Sequence, residues 1–372
     1  MPVPLLDLRA QYATIKDEVV RAMMRVADDQ LFILGEPVEH LERDVAALSQ
    51  TAHAIGCANG TDALLLAYRA LDIGRGDEIV TTPFTFFATA GTIHNVGATA
   101  VFADIEPDTF NLSVAAASAA VTSRTKAVVP VDLFGQMAPI EQYAAAMPGL
   151  PIVEDAAQSI GARRKIEGTW TVAGERATIG TLSFFPSKNL GGFGDGGMMV
   201  TQDKALAARL KRLRMHGGAK QYFHDEVGYN SRLDALQAAV LVAKLPHLAS
   251  WSERRREHAR YYDAAFADVP EIRTPTIDPA NESIYNQYTV RVERRDALQA
   301  HLKAKGIGNA VYYPLPLHLQ PCFAYLGYRQ GAFPESERAA NEVVSIPVFP
   351  ELTKTQQDET IDVIRQFYGH SR

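Results

Sequence analysis

With 372 residues, 47% of them hydrophobic, and a formal net charge of −6, the chain can bury a large core and presents no obvious surface for nucleic acid or a polybasic membrane anchor. Cys57 and Cys322 stand too far apart for a metal-ligand spacing or a disulfide framework, and no apolar run is long enough to span a bilayer. No charged-then-apolar leader stands at residues 1–11, so the expectation is a soluble, cytoplasmic protein with no metal.

Residues 1–29 read as an entry arm, with Val19, Met23 and Val26 at helical offsets. Gly35, Glu36 and Pro37 break it, and an amphipathic helix resumes over 38–48. The segment Ile55-Gly56-Cys57-Ala58-Asn59-Gly60-Thr61-Asp62 then runs into the helical ALLLAYRAL. Backbone N–H groups, a helix dipole and the Thr61 hydroxyl meet at that helix start, which suits a phosphate. Plain N-capping by Thr61 accounts for the segment equally well.

From 78 to 155, β-rich runs at 78–81, 99–102, 127–131 and 152–153 alternate with helical stretches such as 85–95 and 139–146. That alternation predicts a largely parallel α/β sheet with ligands at the C-terminal ends of its strands. Past the first strand, Thr82-Pro83-Phe84-Thr85-Phe86-Phe87 supplies aromatics on which a flat ring could stack. Past the fourth, Glu154-Asp155-Ala156-Ala157-Gln158 supplies a carboxylate.

The stretch 181–201, TLSFFPSKNLGGFGDGGMMVT, has strand-like ends at 182–185 and 198–200. Between them Lys188 sits in a polar turn, followed by Gly191, Gly192, Gly194, Gly196 and Gly197. Such glycines leave room for a ligand to come close. A lysine held there is a candidate Schiff-base nucleophile, because desolvation favours its neutral amine. An exposed lysine in a glycine-rich hairpin is the plainer alternative.

Beyond 201 the pattern turns helical over 204–214 and 233–245, and a charge-rich helix over 249–267 leads into a second domain. The expected division is a large domain at 1–245 and a small α+β domain at 246–372. Polar loops at 214–218 and 228–232 are free for ligands. Within Tyr312-Tyr313-Pro314-Leu315-Pro316-Leu317-His318, the histidine is either a ligand contact or a satisfied loop residue.

Four features thus share one α/β domain: a phosphate-type helix start, an aromatic at Phe86, a strand-end acid at Asp155 and a loop lysine at Lys188. Pyridoxal 5′-phosphate (PLP) calls for this set, with N–H donors for its phosphate, a lysine for its aldehyde and an anion for its ring nitrogen.

The stretches GCANGTDALLLA, TTPFTFFATA, VDLFGQMAPI, VEDAAQSIGA, SFFPSKNLGGFGDGG and GYNSRLDALQAAVL resemble the DegT/DnrJ/StrS family of nucleotide-sugar aminotransferases. The resemblance implies an aspartate-aminotransferase-like fold (PLP fold type I). It implies Lys188 as the Schiff-base lysine, Asp155 as partner of the ring nitrogen and Gln158 beside the ring. Thr61, Asp62 and Ser183 match the phosphate contacts, Thr61 and Asp62 partly through backbone N–H, and Phe86 matches the stacking aromatic. Asn230 matches a residue that reaches the phosphate of a neighbouring subunit, which implies a homodimer with shared sites. His318 matches a histidine near the sugar, and Tyr313 is a further candidate for its hydroxyls.

By the same likeness, the activity expected is transfer of an amino group from L-glutamate to a nucleotide-linked keto-deoxyhexose, at C3 rather than C4. A PLP lyase or dehydratase and a non-catalytic regulatory relative are the other readings. The dehydratase branch carries histidine where this chain has Lys188. One departure stands out: the segment 162–180 is a few residues longer than the family's spacer.

Overall fold

Seven short strands, buried on both faces wherever they are central, form the main sheet of the computed structural model, which describes residues 2–220 and 222–370. They are β1 (His53–Cys57), β2 (Glu78–Thr81), β3 (Thr99–Phe102), β4 (Thr125–Val129), β5 (Val153–Asp155), β6 (Ile179–Ser183) and β7 (Gly197–Thr201). Their spatial order is β1-β7-β6-β5-β4-β2-β3. The β5–β4 seam is held by the bridges Val128–Ile152 and Val131–Asp155 rather than a full ladder. Near-continuous apolar runs such as AVV in β4 follow from burial on both faces, the rule for parallel strands.

Only β7 runs against its neighbours β1 and β6; the other described pairings of this sheet are parallel. Two antiparallel pairings in a row leave β1 parallel to β6. The C-terminal ends of β1, β2, β5 and β6 therefore open on one edge. That edge carries Asn59–Asp62, Thr82–Phe86, Asp155 and Ser183, where an open α/β sheet binds its ligands.

Helices α1 (Leu8–Asp29), α2 (Gly60–Ala70), α3 (Phe87–Asn95) and α4 (Ala235–Lys244) pack on this sheet or on one another. Helix α3 starts later than the expected 85, because Phe86 is extended (φ −66°, ψ 148°). Helix α5 (Leu248–Phe266) then runs into a second core, where Tyr262 and Phe266 join Tyr288, Leu298, Val344, Ile346, Ile361 and Ile364. The antiparallel strands Ile272–Arg273, Tyr288–Val292 and Val343–Ile346 form its sheet.

Within 162–180 lies a hairpin, Arg163–Ile166 paired with Thr169–Val172, and Asn281–Glu282 adds a third strand to it. The ribbon is tied down by a bidentate Arg163–Glu282 ion pair. Among the described residues no helix is long and apolar enough to cross a membrane.

Candidate active site

Asp155 ends β5 and is 6% exposed. Its Oδ2 accepts a 2.8 Å hydrogen bond from Thr89 Oγ1, and Thr89 is in turn 3.1 Å from Thr85 Oγ1. Its Oδ1 accepts from the Ala157 N–H at 3.3 Å. Burial raises the carboxyl's pKa, while Thr89, the Ala157 amide and the charge of Lys188 act the other way. Lys188 feels the same pairing: burial lowers its amine to about 8, and Asp155 opposes the drop. An acid and an amine lowered to about 8 therefore face one space, so the neutral amine becomes available as a base from about pH 8 upward.

Past the C-terminal end of β1, Asn59 caps α2, accepting the Asp62 N–H at 2.8 Å. The N–H groups of Gly60 and Thr61 are left without intrahelical partners and point outward, as at any helix start. A Cβ on Gly60 would stand 2.7 Å from that of Ser183, so only glycine lets the Ser183 hydroxyl reach the helix start. Thr61, Asp62 and Ser183 are thus brought together. The expected use of the Asp62 N–H needs correction, since Asn59 already takes it. The Asp62 carboxylate is held by Ser231 Oγ at 2.6 Å, and Ser231 also receives the Ala58 N–H. Asn230 is exposed beside it, lining a depression of about 410 Å³ with Ile33, Ala58, Asn59 and Arg232.

Phe86 leaves one face open, being 57% exposed, and lies 6.3 Å from the Tyr313 ring. Tyr313 OH accepts from Gln158 Nε2 at 3.2 Å, while Gln158 Oε1 accepts the Phe134 N–H at 2.7 Å. Gln158 and Tyr313 therefore form one rigid wall beside Asp155.

His318 departs from expectation. Its side chain has no exposed surface: Nε2 is 3.0 Å from Glu337 Oε1 and the ring packs edge-on against Phe333. In this fold Nε2 ties its loop to Glu337, while Nδ1 is buried without a partner among the described residues.

The glycines after Lys188 also need a different explanation from ligand approach. A Cβ on Gly191 would sit 2.3 Å from the Pro186 carbonyl oxygen, and one on Gly192 2.9 Å from Gln237 Oε1. The chain itself fills the space they leave.

Residues 13–365 match the DegT/DnrJ/EryC1/StrS aminotransferase family. The chain belongs to this family. It is 50% identical over 376 residues, all of both chains, to a "pleiotropic regulatory protein" of Geobacillus stearothermophilus. It is 44% identical to the UDP-N-acetyl-3-dehydro-alpha-D-glucosamine 3-aminotransferase of Acidithiobacillus ferrooxidans, covering 98% of this chain and 97% of that one. Among solved structures it is similar to S. venezuelae DesV in complex with a ketimine intermediate, with a TM-score of 0.96, 40% identity and all of both chains covered. NtdA of Bacillus subtilis, solved with bound cofactor PMP, aligns at a TM-score of 0.87 and 25% identity over 98% of this chain and 83% of that one.

This DegT/DnrJ/EryC1/StrS chain is thus a PLP-dependent sugar aminotransferase of PLP fold type I. Its residues fit the cofactor. A helix start with unpartnered N–H groups lies beside Ser183, an aromatic has one open face, and a buried acid and a depressed-pKa lysine share one space. Sequence reasoning missed Asn59, Thr89 and Ser231. Asn59 alone had a local signal, an N-cap residue just before a helix.

Proposed function

We propose that this enzyme moves an amino group from L-glutamate to C3 of a nucleotide-linked keto-deoxyhexose. The observation that carries the aminotransferase half is Lys188, lowered to about 8 by burial and opposed by the Thr89-held Asp155. The C3 assignment rests on the 3-aminotransferase name of the relative from A. ferrooxidans, 44% identical end to end.

Bound PLP supplies an electron sink for the carbon that gains or loses the amine. The chain's own residues do the rest. Lys188 Nζ, largely neutral above pH 8, holds the cofactor and takes and returns the proton at the reacting carbon. The Asp155 carboxylate keeps a proton on the ring nitrogen, Phe86 covers the ring, and the Gly60–Thr61 N–H groups with Ser183 hold the phosphate. Gln158, braced by Phe134 and Tyr313, fixes the ring's polar edge.

The working unit is a homodimer in this proposal. Leu31, Phe32 and Ile33 are exposed apolar residues beside the depression where Asn230 stands, and a two-fold contact would cover them. A non-catalytic regulatory role has one observation on its side, the name of the 50% identical relative. The complete Lys188–Asp155–Ser183 set weighs against it, since a binding protein has no need of a reactive lysine.

Adding L-glutamate to the purified holoenzyme tests the first half. The visible absorbance of the cofactor should bleach, and its return should require a keto nucleotide sugar. A spectrum indifferent to glutamate would remove the reading.

A further inference from the structure

The loop that bears Lys188 is tied at its base by backbone hydrogen bonds, Lys188 N–H to Phe185 O and Gly192 N–H to Phe184 O, both 2.8 Å. Asn189 fastens the near side: its Nδ2 donates to Ile284 O at 3.0 Å and its Oδ1 accepts from Asn286 Nδ2 at 2.8 Å. The far side is held by one helix. Gln237 and Lys244 stand seven residues apart on α4, two turns along the same face. Gln237 Oε1 accepts the Phe193 N–H at 2.8 Å, and its amide fills the space left by Gly192 and Gly194. Lys244 Nζ donates to Gly191 O at 2.5 Å and lies 5.7 Å from the Phe193 ring.

Lys244 is only 3% exposed, inside an apolar cluster that includes Val240 and Trp251. A buried ammonium is costly unless firmly bonded, and an aliphatic side chain would fill this space with no such cost. Burial lowers this amine to about 8 against the pull of Glu351, so below pH 8 it is a cation whose charge-assisted bond to one backbone carbonyl is stronger and shorter than a neutral one. That carbonyl lies three residues after Lys188.

We propose that Lys244 and Gln237 are positioning residues which clamp the 191–194 segment and so set where the Lys188 amine stands. The proposal rests on Lys188 being the working lysine. It adds a device outside the cofactor's own contacts, one that also explains why glycines are required at 192 and 194, where a Cβ would meet the Gln237 amide.

The test is hydrogen–deuterium exchange on the full-length wild type and on Lys244→Met and Gln237→Leu, with turnover measured per bound cofactor. In each variant the amides of 184–194 should exchange about tenfold faster or more, while peptides covering β1 and β5 keep wild-type rates, since opening is local. Turnover per bound cofactor should fall about tenfold, with KM for donor and acceptor within about twofold, the pattern of a misplaced reacting group. The double variant should cost less than the two single losses combined, because both residues hold one loop. Unchanged exchange in 184–194, or an equal rise across the whole chain with turnover per site intact, would overturn the proposal. If Lys244→Met fails to fold, Gln237→Leu carries the same criteria alone. Turnover that survives Lys188→Ala strikes the reading of Lys188 itself, whereas unchanged exchange in the clamp variants strikes only the clamp.

Discussion

Thr89 Oγ1 and Asp155 Oδ2 are 2.8 Å apart although 66 positions separate the two residues in the chain. Helix α3 thereby aims the acid that ends β5. Thr89→Val removes the donor and keeps the shape. Hydrogen bonds to charged groups contribute about 1.5–3 kcal/mol, so the half-reaction with glutamate should slow by roughly tenfold or more. Stopped-flow absorbance reads this directly, and a wild-type rate would show the bond to be idle.

Asp155→Asn separates function from stability. Burial holds the carboxyl pKa above its usual 3.8 in the cofactor-free fold. The ionised form therefore subtracts stability at neutral pH, and that loss is relieved as pH falls through the raised pKa. At pH 7 the cofactor-free variant should melt no lower than the wild type, while its single-turnover rate falls about a hundredfold or more. A variant both unstable and active would contradict the role.

Lys188 should titrate near pH 8 rather than 10.5. In cofactor-free protein its rate of reaction with added PLP should rise through pH 8 and level off above it, following the neutral amine. In the unfolded chain the same lysine binds its proton more tightly. Stability linked to this group is thus lost below the unfolded value of 10.5, in full once pH drops beneath 8. A reaction rate still climbing steeply at pH 10 would place the amine in solvent.

His318→Gln should alter stability and leave substrate binding alone. The ring is enclosed and its pKa is lowered by burial, against the pull of Glu337, so it is neutral at pH 7. Loss of the Glu337 contact should cost about 1–3 kcal/mol, seen as a lower melting temperature. KM for the sugar should stay within about twofold, since the ring offers no contact surface. A KM raised tenfold without a change in melting would restore a substrate role.

Lys188 and Asp155 were legible in the sequence because each belongs to a local pattern: a lysine between two apolar runs, an acid just past a β-rich one. The shared strand edge was legible from the strand–helix alternation. Thr89 was not, because its partner lies on a different element and a threonine inside a helix has no distinctive neighbours. The glycines of 191–194 misled for a related reason. Backbone freedom is visible in a sequence, but what fills the vacated space is not: here it is the Pro186 carbonyl at Gly191 and Gln237, 45 and 43 residues downstream, at Gly192 and Gly194. His318 looked like a ligand only while Glu337 and Phe333 were out of sight.

The central claim, amine transfer to C3, is tested most directly by locating the new C–N bond. The holoenzyme is given ¹⁵N-labelled L-glutamate with freshly generated 3-keto and 4-keto nucleotide sugars, and the products are read by NMR. Labelled nitrogen is expected on C3, formed from the 3-keto compound. Label on C4, formed only from the 4-keto compound, would contradict it.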